Sequence, residues 1–219
     1  MTLPTSKFFL YNDLMKKLPE VIPIFPLSGV IYFPKTNLPL NIFEQRYVNL
    51  VNDAYDKDKL MGMVQSRKEN NSVYKIGCLG KISDYQKSAD GRILINLTGV
   101  TRFQILEEIS NKKLYREFKV DYKNFIKDID VSEDNINTKQ LMDKAQTFFK
   151  RNGLLLNWKE FEKLDLMQQI NTLAMIAPIT NEEKQKLLEA VSLENKIKSL
   201  DSIISFYLFD TYSNNNTIQ

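Results

Sequence analysis

The period of the hydrophobic pattern changes once along this chain, and that change limits the folds open to it. Up to about residue 124, apolar residues alternate with polar ones in short runs bounded by proline and glycine. Beyond that point they recur every three or four residues. Alternation puts side chains on the two faces of a strand, whereas the longer period lines one side of a helix. Strands gathered first and helices second do not suit βαβ winding and predict an α+β fold. The expected division is 1–124, mostly β, and 125–219, about four helices with a disordered tail.

In the first half, "VIPIFPL" and "GVIYFP" are β-branched and aromatic runs broken by prolines, which suits edge strands. "LMGMVQS" is another short strand. In "RILINLTG", Ile93, Ile95 and Leu97 share a face. In "EFKVDYK", Phe118, Val120 and Tyr122 point inward between charged residues, as in a half-exposed strand. The Asp90-Gly91 pair predicts a hairpin through a primed two-residue turn, with positive φ at both central positions. One helix interrupts this half from Glu44 to about Asp56, where Tyr47, Val51, Ala54 and Tyr55 fall on one stripe. The corner "IFEQRY" turns a strand into that helix with no glycine between them, and Glu44 is expected to favour the free N–H groups of the first turn.

In the second half, "FIKDIDVSEDNINTK" reads as an acidic linker. Leu141, Met142, Ala145, Phe148 and Phe149 form a helical stripe closed by Gly153 at a C′ position. Asn157 with Glu160 resembles a capping box ahead of one helix running through Phe161, Leu164, Ile170, Leu173 and Ala174. Thr180 with Glu183 starts a third helix, and Ser192 caps a fourth bearing Ile197, Leu200, Ile204, Tyr207 and Leu208. "SNNNTIQ" reads as the disordered tail.

The chain contains no histidine and one cysteine in 219 residues. Triads that depend on histidine are therefore excluded, and a zinc site is disfavoured. Cys78 lies in a strand-like run and is expected to pack rather than react. No glycine-rich phosphate loop, dinucleotide fingerprint or nucleophile elbow occurs. Glu107-Glu108 point to opposite faces of a strand, and Glu182-Glu183 suit a helix's first turn. The expectation is a protein without catalytic residues, cofactor or metal. With no apolar run near the length of a membrane span and no signal-peptide pattern in "MTLPTSKFFLYNDLMKKLPE", a cytoplasmic location is expected.

Exposed aromatics beside arginines offer a binding surface. The candidates are Phe33, Pro34, Phe43, Arg46, Tyr85 and Arg102, near turns and strand ends. The plain alternative for each is an aromatic in the core and an arginine in solvent.

Taken as a set, the motifs resemble the Lon protease N-terminal domain family. "IPIFPLSGVIYFPKTNLPLNIFEQRYVNLVNDA" resembles its opening block. "YKIGCLGKISDYQKSADGRILINLTGVTRFQI" resembles the next, and "MIAPITNEEKQKLLEAVSLENKIKSL" resembles its helical part. The resemblance implies a PUA-like antiparallel β pseudo-barrel with one inserted helix, followed by a helical bundle. It implies recognition of unfolded or exposed apolar polypeptide, as an adaptor or a client-holding protein, with a Lon-type protease as a further partner. The Walker and peptidase motifs of full-length Lon proteases are not found in this sequence. The alternative is RNA binding, because PUA-like barrels often bind RNA and the first half carries a net charge of +6 against −3 in the second. Its basic residues alternate with acids, without an aromatic-basic stripe, which disfavours nucleic acid.

Overall fold

A computed structural model describes residues 18–67, 72–129 and 136–215, with 210–215 described by their backbone alone. Six strands form one mixed sheet: β1 (Val21–Leu27), β2 (Asn37–Ile42), β3 (Leu60–Gln65), β4 (Ile76–Lys87), β5 (Ile93–Ile109) and β6 (Arg116–Asp121). The neighbour order β5-β4-β3-β1-β6 closes on itself because β6 also pairs with β5. β2 adds to the first half of β5. The expectation of an antiparallel barrel is corrected at one pair: β1 and β3 run parallel, from Ile24 opposite Gly62 to Leu27 opposite Gln65. A parallel pair needs a long crossover, and the connection carries both β2 and helix α1 (Gln45–Tyr55).

Alternation sorts the strand side chains into two layers. Ile22, Ile24, Val64, Leu79, Phe103, Ile105, Phe118 and Val120, drawn from all five strands of the ring, form one cluster inside it. Phe25, Met61, Met63, Cys78, Ile93, Ile95 and Leu97 form another on the outside. That second cluster is covered by Tyr47, Leu50, Val51 and Ala54 of α1, so the inserted helix caps the barrel wall. Cys78 is buried there and burial pushes its thiol pKa up, which fits a packing role.

The hairpin between β4 and β5 forms, but not through a primed turn. Of its central residues only Gly91 has a positive φ, at 87°. The Gly91 N–H donates to the Ser88 carbonyl at 3.0 Å, and the Ser88 N–H to the Arg92 carbonyl at 2.8 Å. This is a tight turn followed by one left-handed glycine, the pattern of a longer hairpin loop.

"GVIYFP" is not a strand. Pro34 has no N–H, and Lys35 takes a left-handed φ of 59°. The segment instead anchors to β5 and to the helices. The Lys35 N–H donates to the Gly99 carbonyl, and the Gly99 N–H to the Thr36 carbonyl, each at 2.9 Å. A side chain at Gly99 would collide with the backbone of Phe33 and Pro34, so the close approach needs glycine there.

The stretch read as a linker begins with a 3-10 turn, Lys123–Asp128, whose Phe125 and Asp128 are buried. Residues 130–135 lie outside the described residues. The helices that follow are α2 (Lys139–Arg151), α3 (Trp158–Phe161), α4 (Leu166–Ile176), α5 (Asn181–Glu189) and α6 (Leu193–Asn215). Helix α2 ends as expected: the Gly153 N–H returns to the Lys150 carbonyl and the Leu154 N–H to the Phe149 carbonyl. The single helix expected over Phe161 to Ala174 is two, because Asp165 is extended and its side chain accepts from the Gln168 N–H, starting α4 afresh. The capping box of Thr180 and Glu183 is complete. The Ser192 hydroxyl accepts from the Asn195 N–H at 3.1 Å. Helix α6 runs three residues into the stretch read as a tail; residues 216–219 lie outside the described residues, as do most of those read for a signal peptide.

The helices share their core with the barrel through Ile31 and Phe33, which pack among Phe148, Phe149, Ile170, Leu173, Leu187 and Leu200. At the corner before α1, Glu44 makes no cap bond. Its carboxylate pairs with Arg46 at 2.7 Å instead, with both side chains about half exposed. Glu44→Ala is therefore expected to cost less than about 0.5 kcal/mol in a urea titration, the range of an exposed pair.

Candidate functional site

The barrel wall opens where β6 leaves β1. Their pairing runs from Val21 opposite Lys119 to Ile24 opposite Arg116 and then stops, while β1 continues to Leu27. Beyond Ile24 the chain before β6 turns aside, and the Tyr115 hydroxyl donates to Asp53 of α1 at 2.6 Å. The gap is a cleft of about 320 Å³ lined by Ile24, Pro26, Arg46, Tyr47, Ser66, Leu114, Tyr115 and Arg116.

The cleft has a free strand edge. On one side of β1 the Leu27 carbonyl accepts from the Ser66 N–H just past β3; on the other the carbonyl of Glu20, just before β1, accepts from the Val120 N–H of β6. Backbone groups alternate between the two edges of a strand. Pro26 therefore turns its carbonyl toward the side that β6 has left, and it has no N–H to offer there. Such an edge can accept a hydrogen bond from an added extended chain, while proline limits uncontrolled pairing.

The walls are apolar with a charged rim. Leu114 is 62% exposed, large for a leucine. Arg46 lies over the Tyr47 ring at 4.5 Å, and Arg116 over Phe118 at 4.8 Å. Each arginine also has a carboxylate: Glu44 for Arg46, and Glu108, held through two bonds of 2.7 Å, for Arg116. Burial raises the pKa of the Tyr115 hydroxyl, as does its bond to Asp53, to about 12, so it stays a neutral donor at ordinary pH.

The six residues singled out in the sequence divide. Arg46 lines the cleft, and Phe43, 68% exposed, lies at the corner three residues before it. Tyr85 is half-buried, stacked on Tyr55 with ring centroids 4.4 Å apart, and donates to Asn52 at 2.9 Å. Phe33, Pro34 and Arg102 are corrected: all three are buried where barrel meets helices. Phe33 belongs to the helical core, and the Pro34 carbonyl accepts from Asn171 Nδ2 at 2.9 Å. Arg102 is 2% exposed; its Nε donates to Asp128 Oδ2 and its Nη2 to Asp128 Oδ1, each at 2.8 Å. Of the cleft residues that sequence reading missed, Leu114, Tyr115 and Arg116 sit in the polar run "NKKLYREF". No periodicity in that run marks where β6 would leave β1.

A second opening lies between barrel and helices. It measures about 880 Å³ and is lined by Ser28, Gly29, Gln65, Ser66, Arg67 and Tyr74 of the barrel and 180–182 at the start of α5. Strand ends and a helix's first turn form it, so most of the residues that line it carry polar side chains. Among the described residues, no group of three or more cysteines and carboxylates gathers as a metal site, and no helix is long and apolar enough to cross a membrane.

Comparison with known proteins gives consistent matches. A family model described as the ATP-dependent protease La (LON) substrate-binding domain matches residues 21–205. A Lon protease of Syntrophus aciditrophicus is 27% identical over 206 residues, which are 88% of this chain and 26% of that protein. A Lon protease of Flavobacterium johnsoniae is 30% identical over 103 residues. The chain thus spans about a quarter of the length of the first of these relatives. Among solved structures, the Lon N-terminal domain protein from Xanthomonas campestris superposes with a TM-score of 0.60 at 18% identity, covering 84% of this chain and 97% of that one. The N-terminal domain of a Mycobacterium avium complex Lon protease superposes with a TM-score of 0.56 at 15% identity, covering 84% and 98%. At these identities the superpositions speak for the fold.

Proposed function

The chain belongs to the family of LON substrate-binding domains, and on that premise we propose that it is a non-enzymatic module that binds exposed apolar segments of polypeptide in the cleft between β1 and β6. The observation that carries this reading is the free edge of β1 set between the apolar walls of Pro26, Tyr47, Leu114 and Tyr115. An extended segment would bond to the edge and place alternate side chains against the walls. As an adaptor or client-holding protein it would present or shield such segments, with a Lon-type protease as the partner that degrades them. The rim favours polypeptide over nucleic acid, since Arg46 and Arg116 each already face a carboxylate.

Fluorescence anisotropy with a labelled, reduced and carboxymethylated unfolded protein tests the reading. Wild type should bind it in the micromolar range, and Leu114→Asp should weaken binding by about tenfold or more, roughly 1.4 kcal/mol. The thermal midpoint should stay close to wild type, because Leu114 is exposed. Equal affinity in wild type and variant would move the site elsewhere.

A further inference from the structure

The polar groove has a buried acceptor with nothing to accept. Gln65 is 8% exposed and lines the groove, and its Oε1 has no hydrogen-bond partner among the described residues. A buried carbonyl left in that condition costs free energy that a donor entering the groove would recover. The groove also adjoins the apolar cleft. Ser66 walls both, and its Oγ lies 2.9 Å from that of Ser28 at the boundary. The end of β1 passes from one to the other, with Ile24 and Pro26 in the cleft and Ser28 and Gly29 in the groove.

Resting on the peptide-binding reading above, we propose that cleft and groove form one channel for a bipartite segment: an apolar anchor in the cleft, then neutral side chains that donate hydrogen bonds in the groove. Six residues of this chain, Ile24 to Gly29, run along the channel, extended as far as Leu27 and bent at Ser28 and Gly29, so a bound segment of about the same length fills it. The groove's charges explain the preference for neutral residues. Arg67, stacked over Tyr74 at 4.5 Å, stands on the barrel side, and Glu182 on the helix side. A charged residue of either sign would meet one opposite and one like charge, so little attraction would offset the hydration it loses on entering the groove. The start of α5 does not attract an anion either: Thr180 and Glu183 complete its capping box, and Glu182 and Glu183 place carboxylates in its first turn. Serine, asparagine and glutamine remain, each able to donate to Gln65 Oε1.

Two fluorescein-labelled hexapeptides separate this from its premise: Val-Phe-Leu-Ser-Asn-Gln, and Val-Phe-Leu-Ala-Ala-Ala as the anchor alone. Wild type should bind the first about five- to tenfold more tightly, the worth of one recovered hydrogen bond. Gln65→Leu should reduce that affinity to the level of the alanine peptide while leaving the alanine peptide's Kd unchanged. Ser28→Trp, at an exposed position that folding tolerates, should do the same by blocking the channel. Equal Kd values for the two peptides with wild type, or a gain that survives both substitutions, would overturn the proposal while the apolar cleft stands. Failure of both peptides to bind would overturn the peptide-binding reading and this proposal with it.

Discussion

Arg102→Met is expected to lower the unfolding free energy by about 3–5 kcal/mol, the cost of breaking a buried charge pair by removing one partner. Asp128 is 2% exposed and accepts from the Arg102 backbone N–H at 2.9 Å as well as from its Nε and Nη2. Without the guanidinium, a buried carboxylate keeps only that backbone donor of the three. The loss does not end there. Arg102 Nη1 donates to the carbonyls of Leu188 and Ala190, and Nη2 to that of Val191 at 3.4 Å. These lie at and just beyond the end of α5, where carbonyls have no partners within the helix and the dipole is negative. One side chain of β5 thus bonds both to the 3-10 turn after β6 and to the end of α5. Arg102→Lys should recover little, since an ammonium cannot reproduce the planar fork. Arg102→Met combined with Asp128→Leu should be more stable than Arg102→Met alone, because no unpaired charge is left behind. Urea titrations followed by circular dichroism measure all three. A loss below about 1 kcal/mol for Arg102→Met would show that the pair does not hold the halves together.

The same arginine marks where sequence reading stops. In the sequence it follows a strand and precedes an aromatic, as a solvated or binding residue would. Its carboxylate lies 26 residues away, inside the stretch read as a linker, and its first carbonyl 86 residues away. No local pattern reports a partner at such separations. Phe33 and Pro34 were misplaced for the same reason, since their burial depends on α4 and α6 folding back on them. What was legible is local. The Thr180-Glu183 box, the Gly153 helix end, the alternation of β5 and β6 and the stripe of α1 are all set by residues within a few positions of one another. Of the cleft's lining, only Arg46, at the corner after Phe43, could be anticipated. The cleft itself is made by two strands that separate, and registers between distant strands are not written in either strand alone.

Lys196 gives the second large effect, read as a dependence of stability on pH. It is 1% exposed, its Nζ donates to Asn171 Oδ1 at 2.6 Å, and it lies 5.4 Å from the Phe33 ring centroid. Among the described residues it has no carboxylate in salt-bridge contact. Burial first, and then the Arg102 charge, hold its pKa down to about 7, against the smaller opposing influence of Asp128 and Cys78. In the unfolded chain a lysine titrates near 10.4. Above about pH 7 the unfolded chain therefore holds a proton that the folded one has released, and stability rises with pH. Below that value both forms are charged and the slope vanishes. From about pH 8.5 a thiol opposes the rise: Cys78 ionises there when unfolded, whereas burial keeps it protonated in the fold. Above about pH 10 the tyrosines act in the same direction, because burial raises Tyr32, Tyr115 and Tyr122 and the unfolded chain loses those protons first. Stability should climb between about pH 7 and 8.5 by up to about 2 kcal/mol, level off, and fall beyond pH 10. Lys196→Met should lose the climb; half-buried Lys184, whose pKa burial also lowers, is present in both proteins and cancels from the comparison. Urea midpoints at pH 6, 7, 8 and 8.5 for both proteins decide the matter: parallel curves would assign the titration to another group, and a climb confined to wild type assigns it to the amine buried against Phe33.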